Sequence, residues 1–164
     1  MELVAIIISI LTLLGLLIQI HLSWREMRAD HERRKKQATL EYVNSIRAIY
    51  RSIAGKLDQQ FGRDNVINID DIDEEVKCDI QELLSVIEHL AVGGNTGVYD
   101  LQILERMSGA YFVRIHDKLS PYIRHRQTIT RSTRTFCEFE AMVEDIKNIR
   151  GGLKRISRGK VKYS

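Results

Sequence analysis

Two acid–imidazole pairs, Glu88-His89 and His116-Asp117, carry residue types able to move protons, and the acids Asp64, Asp70, Asp71, Asp73, Glu74 and Glu75 suggest a hard cation. Neither suggestion survives its spacing. Side chains adjacent in sequence diverge on a helix, so the two pairs are not expected to act as dyads. The acids lack the alternating ligand positions and central glycine of an EF-hand loop. They read instead as a loop followed by a helix start, with Asp71 as N-cap and Glu74 three residues on. The glycines of Gly93-Gly94-Asn95-Thr96-Gly97 could cradle a phosphate, but a P-loop follows a strand and carries Lys-Ser or Lys-Thr, which are missing. A helix end and interhelical turn account for them. Ser108 has no evident base, and Cys78 and Cys137 have no close partner, so both read as reduced thiols. With no HExxH, CxxC or nucleophile elbow, no catalytic, metal or cofactor residue is assigned. Only tertiary assembly of scattered residues such as Glu88, Arg106, Tyr111 and Arg114 would make an enzyme of this chain.

The elements that would position such residues are helices. The chain has 164 residues, one proline and a net charge of +3. Removing the apolar N-terminus and the basic stretch after it leaves roughly 120 residues, enough for a single domain of four or five helices. The expected fold is all-α: a single N-terminal transmembrane helix over residues 3–22, a basic juxtamembrane stalk over 23–37, a helical bundle over 38–150 and a basic tail over 151–164.

From Leu3 to Leu22 the sequence LVAIIISILTLLGLLIQIHL has no charged residue and fourteen Leu, Ile and Val side chains. About 20 residues of helix span the ~30 Å hydrocarbon layer. Those side chains favour insertion by on the order of 4–8 kcal/mol, partly offset by Ser9, Thr12, Gln19 and His21. Glu2 in place of a basic n-region, with Trp24-Arg25 in place of a cleavage site, argues against a secretory signal. Trp24 falls where an interfacial aromatic belongs. Arg25, Arg28, Arg33, Arg34, Lys35 and Lys36 follow the span and no Lys or Arg precedes it, which predicts an outside N-terminus and a cytoplasmic domain at the cell (inner) membrane. These six are also the expected contacts to anionic lipid. Ala5, Ser9, Thr12, Gly15 and Gln19 share one face of the span, a stripe that would let a second copy approach and hydrogen-bond.

No Gly or Pro lies between Gly15 and Gly55, so the span is predicted to continue as helix into the bundle. Apolar periodicity then places Leu40, Val43, Ile46, Tyr50, Ile53 and Leu57 on a first core helix and Val76, Ile80, Leu83, Ile87 and Leu90 on a second, with His89 facing away. Leu101, Leu104, Tyr111, Ile115 and Leu119 fall on a third helix, about 99–118. Ser120-Pro121 reads as the start of a short fourth. Thr135 with Glu138 reads as the capping box of the last helix, which buries Phe136, Phe139, Val143, Ile146 and Ile149 and ends at Gly151-Gly152.

The run LLSVIEHLAVGGNTGVYDLQILERMSGAYFVRIHDKLSPYIRHRQ, with ATLEYVNSIRAIY before it and FCEFEAMVEDI after it, resembles a family of small bacterial membrane-anchored proteins catalogued only as a domain of unknown function. The resemblance implies the anchored helical architecture and supplies no catalytic residue. The function expected is therefore a non-enzymatic interaction or oligomerisation module at the cytoplasmic membrane face. Its expected partners are the lipid bilayer, a second copy through the span and a protein. A membrane-perturbing effector assembling through the span, or a membrane-tethered enzyme, are the alternatives. The basic run from Lys147 to Lys162 has anionic lipid as its nearest partner, and nucleic acid is disfavoured because no recognition motif accompanies the charge.

Overall fold

The computed structural model describes the backbone of residues 2–160 and the side chains of residue 2 and residues 11–152. The elements are α1 (Glu2–Phe61), a 3-10 turn (Ile69–Asp71), α2 (Glu74–Asn95), α3 (Leu101–Thr130) and α4 (Cys137–Lys160). The fold is all-α, with no strand among the described residues. The chain divides into two units, Met1–Gln37 and Ala38–Ser164. The described residues of the first belong to α1; the second is a bundle of the remainder of α1 with α2, α3 and α4.

No helix among the described residues is long and apolar enough to cross a membrane. The predicted span over 3–22 is described only in part, because the side chains of residues 3–10, including Ala5 and Ser9, lie outside the described residues.

The bundle core follows the apolar stripes. Val43, Ile46, Tyr50, Ile53 and Leu57 of α1 are buried together with Val76, Ile80, Leu83, Ile87 and Leu90 of α2, Leu104, Ile115 and Leu119 of α3, and Phe139, Val143 and Ile146 of α4. Leu40 is a correction: it is 42% exposed, and Thr39 takes the buried position instead, its Oγ1 accepting the Asp100 N–H at 2.8 Å. Leu101, Tyr111, Phe136 and Ile149 are half-buried. Phe112 and Met142, absent from the predicted stripes, are fully buried.

Several helix ends fall elsewhere than local rules place them. Asp71 belongs to the 3-10 turn, and the N-cap of α2 is Asp73, whose carboxylate accepts the Val76 N–H at 2.8 Å. α2 does end within the Gly93–Gly97 run, as expected, at Asn95 with Thr96 as C-cap and Gly97 at φ 79°; Gly93 and Gly94 are still helical, and the Tyr99 ring occupies the space a Cβ on Gly93 would need. No new helix starts at Ser120-Pro121, since α3 runs through both. Proline cannot donate to the carbonyl four residues back, and the Ser120 hydroxyl donates to that carbonyl, Asp117 O, at 3.2 Å. Gly151-Gly152 does not end α4; glycine costs a helix about 0.5–1 kcal/mol per residue but keeps its N–H.

The Thr135–Glu138 capping box is also replaced. Phe136 is left-handed at φ 62°, and the first amides of α4 are capped from another helix: Glu88 on α2 accepts the Glu138 and Phe139 N–H groups at 3.2 and 2.8 Å. Burial pushes the Glu88 carboxyl above its ordinary range, against the pull of those two donors. A raised folded-state value means that this group's stabilisation is full below the unfolded value near 4.5 and is lost as pH rises through the folded value. Glu88→Ala is expected to cost about 1–2 kcal/mol by orphaning the amides. It should also remove the stability that wild type gains as pH falls toward 4.5, as measured by urea unfolding along a pH series.

Candidate functional site

The densest assembly of ionisable groups in the bundle lies where the last turn of α1 meets the middle of α3. A helix C-terminus presents carbonyls without intrahelical partners and a partial negative charge, so cations are stabilised there. Lys118 and Arg114, one turn apart on α3, supply them. The Lys118 ammonium donates to Asp58 Oδ1 at 2.8 Å, to Leu57 O at 3.4 Å and to Gly62 O. Arg114 Nη1 donates to Asp58 Oδ1 and Oδ2 at 2.8 and 2.9 Å and to Arg63 O at 2.9 Å, while its guanidinium lies 5.7 Å from the Tyr111 ring centroid. Gly62, at φ 81°, turns the chain away from α1, and Ile67 N–H returns to Lys118 O at 3.0 Å.

Burial alone would push the Asp58 carboxyl up; the hydrogen bonds from Arg114 and Lys118 outweigh it and hold the group below the ordinary carboxylate range. The Lys118 side chain is 1% exposed and its three protons are matched by three acceptors, so it is spent as a tie between helices rather than held as a nucleophile.

Beside this network runs a groove of about 380 Å³ lined by Arg63, Asp64, Val66, Ala110, Val113, Arg114, Asp117, Lys118 and Arg150. Arg150 reaches it from α4, its Nε donating to Glu105 Oε1 at 2.8 Å, and Glu105 is 7% exposed. Asp117 is shared by His116 Nδ1 at 3.2 Å and Lys147 Nζ at 3.4 Å. The His116–Asp117 contact corrects the expectation that these neighbours diverge.

The sequence profile of the family described as Domain of unknown function (DUF4760) matches residues 1–146. The chain belongs to this family. The DUF4760 match covers α1, α2, α3 and the first part of α4, so the network and all of the groove except Arg150 lie within it. No curated protein and no solved structure matches the chain.

Of the scattered residues named as an enzyme's raw material, Tyr111 and Arg114 meet at the network. Glu88 is occupied at the α4 terminus, Arg106 is exposed, and the four share no site. Ser108 shares a hydrogen bond with the Tyr50 hydroxyl at 3.2 Å, and His89 is exposed as predicted. No group of three or more His, Cys, Asp or Glu among the described residues has metal-binding geometry. In the first unit Thr12, Gly15, Gln19, Arg25, Arg28, Arg33, Arg34 and Lys36 are exposed, Lys35 is half-buried, and Arg34 pairs with Asp30 at 2.8 Å.

Asp58, Glu105, Lys118, Arg63 and Arg150 were not singled out as a site by sequence reasoning. For two of them a signal exists. Glu105 and Lys118 fall on the apolar stripe of α3, beside Leu104, Ser108, Phe112, Ile115, Leu119 and Tyr122. A charged residue in such a register must bring a partner with it.

Proposed function

We propose that this protein is a single-pass membrane protein, anchored through residues 3–22 with its N-terminus outside. Its helical domain works at the cytoplasmic face as a non-enzymatic interaction or oligomerisation module. The observation that carries the reading is the bare apolar surface of α1 before the basic stretch. Leu11, Leu13, Leu14, Leu16, Leu17, Ile18, Ile20 and Leu22 are each 50–63% exposed, and they cover about two thirds of the helix circumference, the rest being the face of Thr12, Gly15 and Gln19. Full burial of each is worth about 1.5–3 kcal/mol, so water is the wrong solvent for this segment. An amphipathic surface helix opposes its apolar stripe with charged residues; residues 3–22 carry no Asp, Glu, Lys or Arg, and a broad apolar surface beside a small, weakly polar face calls for lipid.

Trp24, 62% exposed, followed by Arg25, Arg28, Arg33, Arg34, Lys35 and Lys36, supplies the interfacial aromatic and the basic flank that retains its side in the cytoplasm. The same six residues meet anionic headgroups in this reading, and the face of Ala5, Ser9, Thr12, Gly15 and Gln19 carries self-association. A non-enzymatic role is supported by the use of the bundle's buried charges as helix ties and caps.

Paired fusions test the anchor and its orientation in a bacterial host. A C-terminal fluorescent reporter should be bright and a C-terminal alkaline phosphatase inactive, with the chain pelleting with membranes and resisting carbonate extraction. An active phosphatase with a dark fluorescent reporter would reverse the orientation, and release by carbonate would remove the span.

A further inference from the structure

We propose that the groove between the α1–α2 connection, α3 and α4 binds a phosphate group, free or on a phosphomonoester headgroup, through the guanidinium groups of Arg63, Arg114 and Arg150. The three arginines are far apart in sequence and line one groove of about 380 Å³. Planar N–H forks of this kind match the oxygens of phosphate.

Two of the forks are fixed from behind. Arg114 is held through Nη1 by both Asp58 oxygens and the Arg63 carbonyl, and Arg150 is held through Nε by Glu105. Each anchoring bond uses one nitrogen of its guanidinium. Among the described residues no hydrogen bond engages Arg114 Nη2, either terminal nitrogen of Arg150, or the Arg63 side chain. Such donors are positioned before a ligand arrives, which reduces the ordering cost of binding.

Gly109 contributes to the placement. A Cβ there would lie 3.1 Å from Ile146 Cγ2, 3.3 Å from Glu105 Cγ and 3.5 Å from Arg150 Nη2, so the Arg150 fork rests against bare α3 backbone. Val66, Ala110 and Val113 give the groove an apolar lining, beside which a charge-assisted hydrogen bond is less weakened by water. Lys118 takes no part, because its protons are committed to α1.

The local charge is nearly balanced. Arg63, Arg114, Lys118, Lys147 and Arg150 stand against Asp58, Asp64, Glu105 and Asp117. Recognition therefore rests on directed N–H groups more than on a broad positive field, and Arg63, exposed and tied into the network only through its backbone carbonyl, is the residue whose side-chain loss reports it most cleanly. The inference is independent of the membrane reading, since every residue it uses belongs to the bundle.

The test titrates the full chain in a zwitterionic detergent-like micelle with inorganic phosphate and, separately, with a short-chain phosphatidic acid, by calorimetry and ³¹P line broadening. Arg63→Gln should weaken binding at least about tenfold with an unchanged circular dichroism spectrum. Arg150→Lys, which keeps a cation for Glu105 but loses the fork, should weaken it as well. Saturable phosphate binding lost in Arg63→Gln supports a free-phosphate ligand; binding of phosphatidic acid alone, lost in the same variant, supports a headgroup. Binding unchanged in Arg63→Gln would place it elsewhere, as at the stretch from Arg25 to Lys36, and overturn the proposal. So would failure of both ligands to saturate.

Discussion

Asp58→Ala is expected to destabilise the bundle by about 3–5 kcal/mol, because it strands the Lys118 ammonium without a counter-charge where the side chain is 1% exposed. Arg114 loses its bidentate partner in the same step. Alanine is the better helix former, so any loss cannot come from the propensity of α1. In thermal unfolding the midpoint should fall by about 10–20 °C. Adding Lys118→Met to Asp58→Ala should recover part of the loss, since the uncompensated charge is then gone; a double variant as unstable as the sum of the singles would refute the account. The pH dependence has a definite sign. The folded-state value of Asp58 is depressed, so its stabilisation is present above the unfolded value near 3.8 and is lost as pH falls through the lower folded value. Wild type should show this loss below about pH 3.8 and Asp58→Ala should not. The Glu88 effect lies above pH 4.5 and runs in the opposite direction, so the two windows do not overlap.

Gly93→Ala carries the second large effect. A Cβ on Gly93 would lie 2.3 Å from both Cδ2 and Cε2 of Tyr99, a residue whose ring stacks on Tyr42 at 5.1 Å and whose backbone N–H donates to Gly93 O at 2.8 Å. The ring cannot yield without losing its stack on Tyr42. A cost of about 1–3 kcal/mol is expected in urea unfolding. The control is Gly55→Ala, also within a helix but with nothing within 4 Å of the new methyl, where about 0.5–1 kcal/mol of stabilisation is expected. Opposite signs for the same substitution would tie the cost to the Tyr99 ring; equal signs would dissociate it.

The helices themselves were legible because burial leaves a periodic trace. Val43, Ile46, Tyr50, Ile53 and Leu57, and likewise Val76 through Leu90, occupy the positions their spacing predicts. What failed was the reading of helix ends by local signals. Ser120-Pro121 resembles a start, yet a serine hydroxyl repairs the one bond that proline removes and α3 continues. Thr135 and Glu138 resemble a cap, yet Glu88, some fifty positions earlier, performs it. The first outcome is local but indistinguishable by residue type from a start signal, and the second is not written within four residues of the site. The same holds for the ion network: Lys118 on an apolar stripe announces a partner, but only the packed bundle names Asp58. The apolar run over 3–22 and the basic residues after it are plain in the sequence, and of that run the described side chains are residues 11–22.

The finish of α1 also has a timetable. Its last turn is completed by Arg114 and Lys118, which lie 51 to 61 positions further along the chain. At about 5–20 residues per second, translation delivers those two cations roughly 3–12 s after the carbonyls they will cap. During that interval the carbonyls of Gly62 and Arg63 are without those donors, and the C-terminal end of α1 waits for a clasp not yet synthesised.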